Sequence, residues 1–209
     1  PDALVPYLQG SPFEVLGPPK DLYPTEGAPR VMQVRGPGNE IIYMTRPAGG
    51  GKLSLYDDTF VGRSFIVIAG GPSMMEMQNY YSSNYGMPVS PAQDYAITII
   101  SRLNDKPLDT TYPLSVVPLP SGSMVELDEY KPWSRPRVTQ PGSIPPGISS
   151  VSFTANELDL INVGWVSAPR PISVAPYNGR EVGLVLGAAD EWIELIEAEV
   201  TDEALPVKN

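Results

Sequence analysis

The chain reads as an all-β protein, an antiparallel β-sandwich or small barrel with long Pro/Gly-rich loops. Three observations lead there. Proline and glycine make up 44 of its 209 residues, well above the usual share of about 12%, and such an excess belongs in turns and extended loops. Short runs of alternating apolar and polar residues, rich in Val, Ile, Thr and Tyr, recur along the chain. Turn-forming dipeptides separate them.

Residues 1–29 are read as an extended proline-rich arm, because Pro1, Pro6, Pro12, Pro18, Pro19, Pro24 and Pro29 fix the backbone and remove amide donors. Residues 30–209 are read as a single β domain. VMQVRG, EIIYMTR and KLSLYDD are short strands, the last two joined by PAGGG. RSFIVIAGG is a buried strand, MMEMQNYY an alternating one, and DYAITIISRL a central strand dense in β-branched residues. LSVVPLP and SMVELDEY follow, separated by Pro120-Ser121-Gly122. Residues 131–147 hold five prolines and are expected to form an ordered crossover or interdomain loop. Beyond them, ISSVSFTA and ELDLINVGWVS lead to the pair RPISVAP and REVGLVLG. That pair flanks Tyr177-Asn178-Gly179, and Asn-Gly is a strong hairpin signal. The tail DEWIELIEAEVTDE has both strand and helix spacing and is taken as strand because strands precede it. No internal repeat is visible at propeller or solenoid periods.

Composition closes off much chemistry. The chain contains no cysteine and no histidine, so thiolate nucleophiles, disulfides, imidazole bases and the usual zinc sites are absent. Its formal charge of −10 disfavours contact with phosphate backbones, so no nucleic-acid partner is expected. No apolar run is long enough to span a membrane. The start PDALVPYLQG has no initiator Met and no signal core, which reads as a piece cut from a longer chain or, failing that, as a processed mature protein.

Candidate motifs fail one by one. Gly49-Gly50-Gly51-Lys52 has Arg46 where a phosphate loop needs glycine and Leu53 where it needs Ser or Thr. No nucleophile elbow occurs, and Asp58-Thr59-Phe60 and Asp109-Thr110-Thr111 lack the glycine of an aspartic-protease loop. Two carboxylates suffice for a glycosidase; Glu126 and Asp128 share one face of a predicted strand, with Asp57 and Asp58 as partners. Solvated strand ends account for these four better, and the chain is read as non-enzymatic. No catalytic residue, metal ligand or cofactor is expected.

Binding surface is the better-supported role. Residues 79–86 interleave Tyr80, Tyr81 and Tyr85 with Ser and Asn84, a composition suited to adaptable contact surfaces and to sugar rings. The competing reading packs these rings inward at a strand end. Trp133, between Lys131 and Arg135, is a second exposed-aromatic candidate, or else pins the proline-rich loop to the sheet. Trp165 and Trp192 lie in apolar strands and read as core.

The proline-rich lead PDALVPYLQGSPFEVLGPPK and the Tyr/Ser/Asn stretch at 79–86 resemble the hinge and outer face of a capsid protruding domain. The families are the projection domains of nodavirus-like and tetravirus-like insect viruses, Lake Sinai virus among them, with the astrovirus spike next. The resemblance implies a virion-surface role in binding a host receptor or glycan. It also implies self-association as a dimer or trimer and contacts with other capsid subunits. The alternatives are a carbohydrate-binding or adhesin-like module of a secreted or phage-tail protein and, behind it, a carboxylate-dependent glycosidase.

Overall fold

The computed structural model describes residues 1–48 and 59–199. They form two compact units. The first comprises the described residues of Pro1–Arg63, Ile97–Leu108 and Pro136–Ser149; the second those of Ser64–Ala96, Asp109–Arg135 and Ser150–Asn209.

In the first unit a short turn at Asp2–Leu4 and a single helical turn, α1 (Val5–Leu8), precede β1 (Glu14–Asp21), β2 (Arg30–Arg35) and β3 (Ile41–Arg46). The three strands form an antiparallel sheet in the order β1-β2-β3. β2 is central, and consecutive Val31, Met32, Gln33 and Val34 are all buried, so it is covered on both faces. The expected strand KLSLYDD, residues 52–58, and most of its PAGGG turn lie outside the described residues.

The second unit uses one plan twice. β4 (Ile66–Gly71), α2 (Met74–Tyr85), β5 (Gln93–Ala96), β6 (Thr111–Pro118) and β7 (Met124–Glu129) give a sheet ordered β4-β7-β6-β5, with β4 parallel to β7. β8 (Ser150–Ala155), a 3-10 turn at Leu158–Leu160, β9 (Trp165–Pro171), β10 (Glu181–Leu186) and β11 (Trp192–Glu197) give β8-β11-β10-β9, with β8 parallel to β11. The registers superpose the two: Ile66 pairs with Met124, and Ser150 with Trp192. Met-Val-Glu-Leu-Asp-Glu of β7 therefore occupies the place of Trp-Ile-Glu-Leu-Ile-Glu in β11. This duplication is too diverged to show as a sequence repeat.

The architecture is α+β, with two modules of βαβββ type in the second unit and a three-stranded sheet in the first, and the expectation of a pure β-sandwich or barrel is corrected. Two segments carry the error. MMEMQNYY is helical, not a strand. Ser73 accepts from the Glu76 amide at 3.3 Å in a Ser-x-x-Glu capping arrangement. Gly86 closes the helix with φ 64°, its amide donating to Ser82 O at 3.1 Å and that of Met87 to Tyr81 O at 3.3 Å. Met74, Met77, Tyr81 and Tyr85 fall on one buried stripe. In DYAITIISRL only the start is strand; Thr98–Leu103 form α3, which belongs to the first unit and buries Ile99 and Ile100. Packing there overrides the β-branched preference.

The second unit has one core. α2 packs its stripe against Val117, Val125 and Leu127 of the first module and shares a cluster with Val185, Ile193 and Leu195 of the second. The second module replaces its own helix with the three-residue turn at Leu158–Leu160, so α2 serves both sheets.

Candidate carboxyl pair on the face of β7 away from α2

Strand alternation sorts β7 into two sides. Val125 and Leu127 enter the core under α2, and Glu129 on that side accepts from the Met74 amide at 2.8 Å, capping the helix start. Glu126 and Asp128 project from the opposite side, as the sequence places them.

Asp128 is only 2% exposed, and among the described residues nothing hydrogen-bonds its Oδ1. Its cross-strand neighbours are Gly70 on β4 and Leu114 on β6, and those of Glu126 are Ile68 and Val116. None of the four side chains offers a charge or a donor. The Tyr130 ring fills the space over Gly70, where a Cβ would collide with it. Fully buried Tyr112, two residues before Leu114 on β6, faces the same way, and Trp133 meets its ring edge-on at 6.2 Å.

A carboxylate in such surroundings loses its hydration without gaining a partner. Burial pushes the Asp128 carboxyl up to about 8, and the charge of Glu126 adds to the rise. Burial also raises Glu126. Near neutral pH Asp128 is thus a carboxylic acid, able to donate a hydrogen bond, beside a second carboxyl group whose oxygens can accept one. The second module lacks this arrangement. Glu194, the counterpart of Glu126, is satisfied by Ser152 Oγ at 2.6 Å and Tyr177 Oη at 2.8 Å, and Ile196 stands where Asp128 would be.

The residues singled out for binding divide between two places. Tyr80, Tyr81, Asn84 and Tyr85 lie on α2, on the core side of the sheet. Tyr81 and Tyr85 are buried, and Tyr80 is partly buried against them. The three rings pack edge-on or tilted, with centroids 5.3–6.3 Å apart. Tyr80 and Tyr85 hydroxyls meet at 3.1 Å, and Tyr81 donates to Glu191 at 3.4 Å. Burial is the main cause that pushes all three phenols up. The apolar cavity beside Tyr81 and Tyr85 has room for no more than about one water. Asn84 is half-buried. Trp133 alone is brought to the carboxyl face. Tyr112 and Tyr130 were missed from the sequence; Tyr130 directly follows β7, and Gly70 opposite Asp128 is the only hint of the space it needs. Asp57 and Asp58 lie outside the described residues.

A resident metal ion does not fit this donor set. The chain has no histidine or cysteine, and among the described residues no three carboxylates come together. Among the same residues no helix is long and apolar enough to cross a membrane.

The duplicated βαβββ plan has a structural counterpart in glyoxalase I from Zea mays. That enzyme aligns over 94% of this chain and 63% of its own, at 10% identity and a TM-score of 0.55. Two of its variants align with TM-scores of 0.56 and 0.57 at 10% and 11% identity.

This is a glyoxalase-like fold.

The chain spans less than two thirds of the length of these structures. No protein-family model matches the sequence, and no curated protein does either. The structural likeness overturns the capsid resemblance, and with it the host receptor or glycan, the partner capsid subunits and the adhesin alternative. Proline-rich connections and a Tyr/Ser/Asn stretch are compatible with both architectures; the parallel β4–β7 and β8–β11 pairs and the capped helix between β4 and β5 decide between them. The fold is one on which an enzyme is built, so missing motifs do not by themselves make this chain non-enzymatic.

Proposed function

We propose that the chain binds a small molecule bearing a hydrogen-bond acceptor, such as a carbonyl oxygen, at the face of β7 that points away from α2. Protonated Asp128 donates to that oxygen, and Glu126 accepts a proton or donor group from the same molecule. The observation that carries this reading is the buried Asp128 Oδ1 with no hydrogen-bond partner among the described residues. Buried polar atoms are nearly always satisfied, and an exception calls for an explanation. The aromatic rings of Trp133 and Tyr130 on this face supply apolar contact for the body of such a molecule. The glyoxalase-like fold is consistent with a small-molecule site.

The test is calorimetric titration of a panel of small aldehydes and ketones into the wild type, Asp128→Asn and Asp128→Ala. Wild-type binding should hold near neutrality and weaken above a pH of about 8, where the donor proton is lost. Asp128→Asn keeps a donor and should bind without that pH dependence, while Asp128→Ala should bind about tenfold or more weakly. Equal affinity of the wild type and Asp128→Ala for every compound bound would sink the proposal, as would an unchanged pH dependence in Asp128→Asn.

A further inference from the structure

β1 runs Glu-Val-Leu-Gly-Pro-Pro-Lys-Asp, and its ladder with β2 is broken twice. Gly17 pairs with Gln33 and Lys20 with Val31, so β1 spends one residue more than β2 between these pairs. Pro18 and Pro19 sit in that gap, and neither has an amide to give to the ladder. The result is a bulge, a device that often re-aims side chains beside binding sites.

A cleft of about 60 Å³ opens at this bulge, lined by Gly17, Pro18, Lys20, Val31, Gln33 and Arg102. Arg102, near the end of α3, donates through Nη1 to Gln33 Oε1 at 3.2 Å and to Leu16 O at 3.4 Å. Gln33 is buried, at 4% exposure, and fixes one edge of the guanidinium. A Cβ at Gly17 would come within 2.6 Å of Gln33 Oε1 and 2.8 Å of Arg102 Nη1, so only glycine permits this approach. Among the described residues Arg102 has no carboxylate partner, and neither has Lys20. Two cations without counter-charges at one cleft are unexpected in a chain of net charge −10.

We propose that this cleft is a binding site for a small oxyanion group, a phosphate or a carboxylate. Arg102 presents the donors that Gln33 and Leu16 leave free, and Lys20 supplies the second positive charge from the bulged strand. A planar guanidinium held on one edge is pre-oriented for two oxygens, and the ammonium acts as a point charge. The site lies wholly within the first unit and does not depend on the reading of Asp128.

The experiment is a titration of the whole chain with inorganic phosphate and, separately, with acetate, at constant ionic strength set by sodium chloride. Backbone amide shifts of Gly17, Lys20 and Gln33 are followed by NMR in the wild type, Arg102→Gln and Lys20→Gln. The expected result is saturation in the millimolar range for at least one anion, with affinity reduced about tenfold in each variant. Whichever anion binds more tightly identifies the ligand group. Both side chains are exposed, so both variants should fold, and dispersed spectra would verify it. No saturable shift at these amides with either anion, or equal affinities in all three proteins, overturns the proposal.

Discussion

Replacing Asp128 by Asn should change how stability responds to pH, and the size of the change follows from the burial. The wild-type carboxyl ionises at its ordinary value near 3.8 when unfolded and at about 8 when folded. Between these values the folded protein holds a proton that the unfolded chain has released, so stability falls as pH rises through the window. The slope contributed by one such group is at most about 1.4 kcal/mol per pH unit. Asparagine has a similar shape and no titration, so it removes that slope. Glu126 and Glu191, both also raised by burial, remain in both proteins and largely cancel in the difference. For a chain of this size the slope amounts to about 3–5 °C in Tm per pH unit. The assay is thermal melting of both proteins at half-unit steps from pH 5 to 7, comparing slopes and disregarding any constant offset from the new amide. The gap should widen steadily in favour of the variant. Parallel melting curves would show that Asp128 is already ionised when folded, and the argument from its missing partner would fail.

Three further outcomes bear on the fold. Gly70→Ala drives a methyl into the Tyr130 ring and should cost about 1–3 kcal/mol, and adding Tyr130→Ala should recover part of that loss in a double-mutant cycle. Tyr81→Ala should cost about 3–5 kcal/mol by chemical denaturation, whereas Tyr81→Phe, which loses only the bond to Glu191, should cost about 0.5–1.5 kcal/mol. Similar small losses for both would place that ring outside the core. Ser73→Ala removes the α2 cap and should cost about 1 kcal/mol, with faster hydrogen exchange confined to the first turn.

Much of the strand placement along the chain was legible, because β4, β6, β7, β8, β10 and β11 each combine an apolar face with flanking turn residues, whereas their order in the sheets was not. Helices were the loss. In α2 the apolar spacing 74, 77, 81, 85 competes with a short alternating pattern, and the Ser73–Glu76 cap that settles the matter was overlooked. α3 is built from residues that favour strands, and only its packing makes it helical. Of the site, the shared face of Glu126 and Asp128 follows from strand period alone. Their burial does not, since it depends on Gly70 and Leu114 arriving from other strands and on where Tyr130, just past the end of β7, lays its ring. Tyr81 and Tyr85 looked suited to contact because composition says nothing about which side of a helix faces the core.

Having one helix for two sheets makes the duplication indivisible. A cut between β7 and β8 would leave the leading half with its own roof. The trailing half would present Val185, Ile193 and Leu195 as a bare apolar sheet with only Leu158 and Ile161 to shelter it. Each position on the inner stripe of α2 must also suit two differently diverged floors at once.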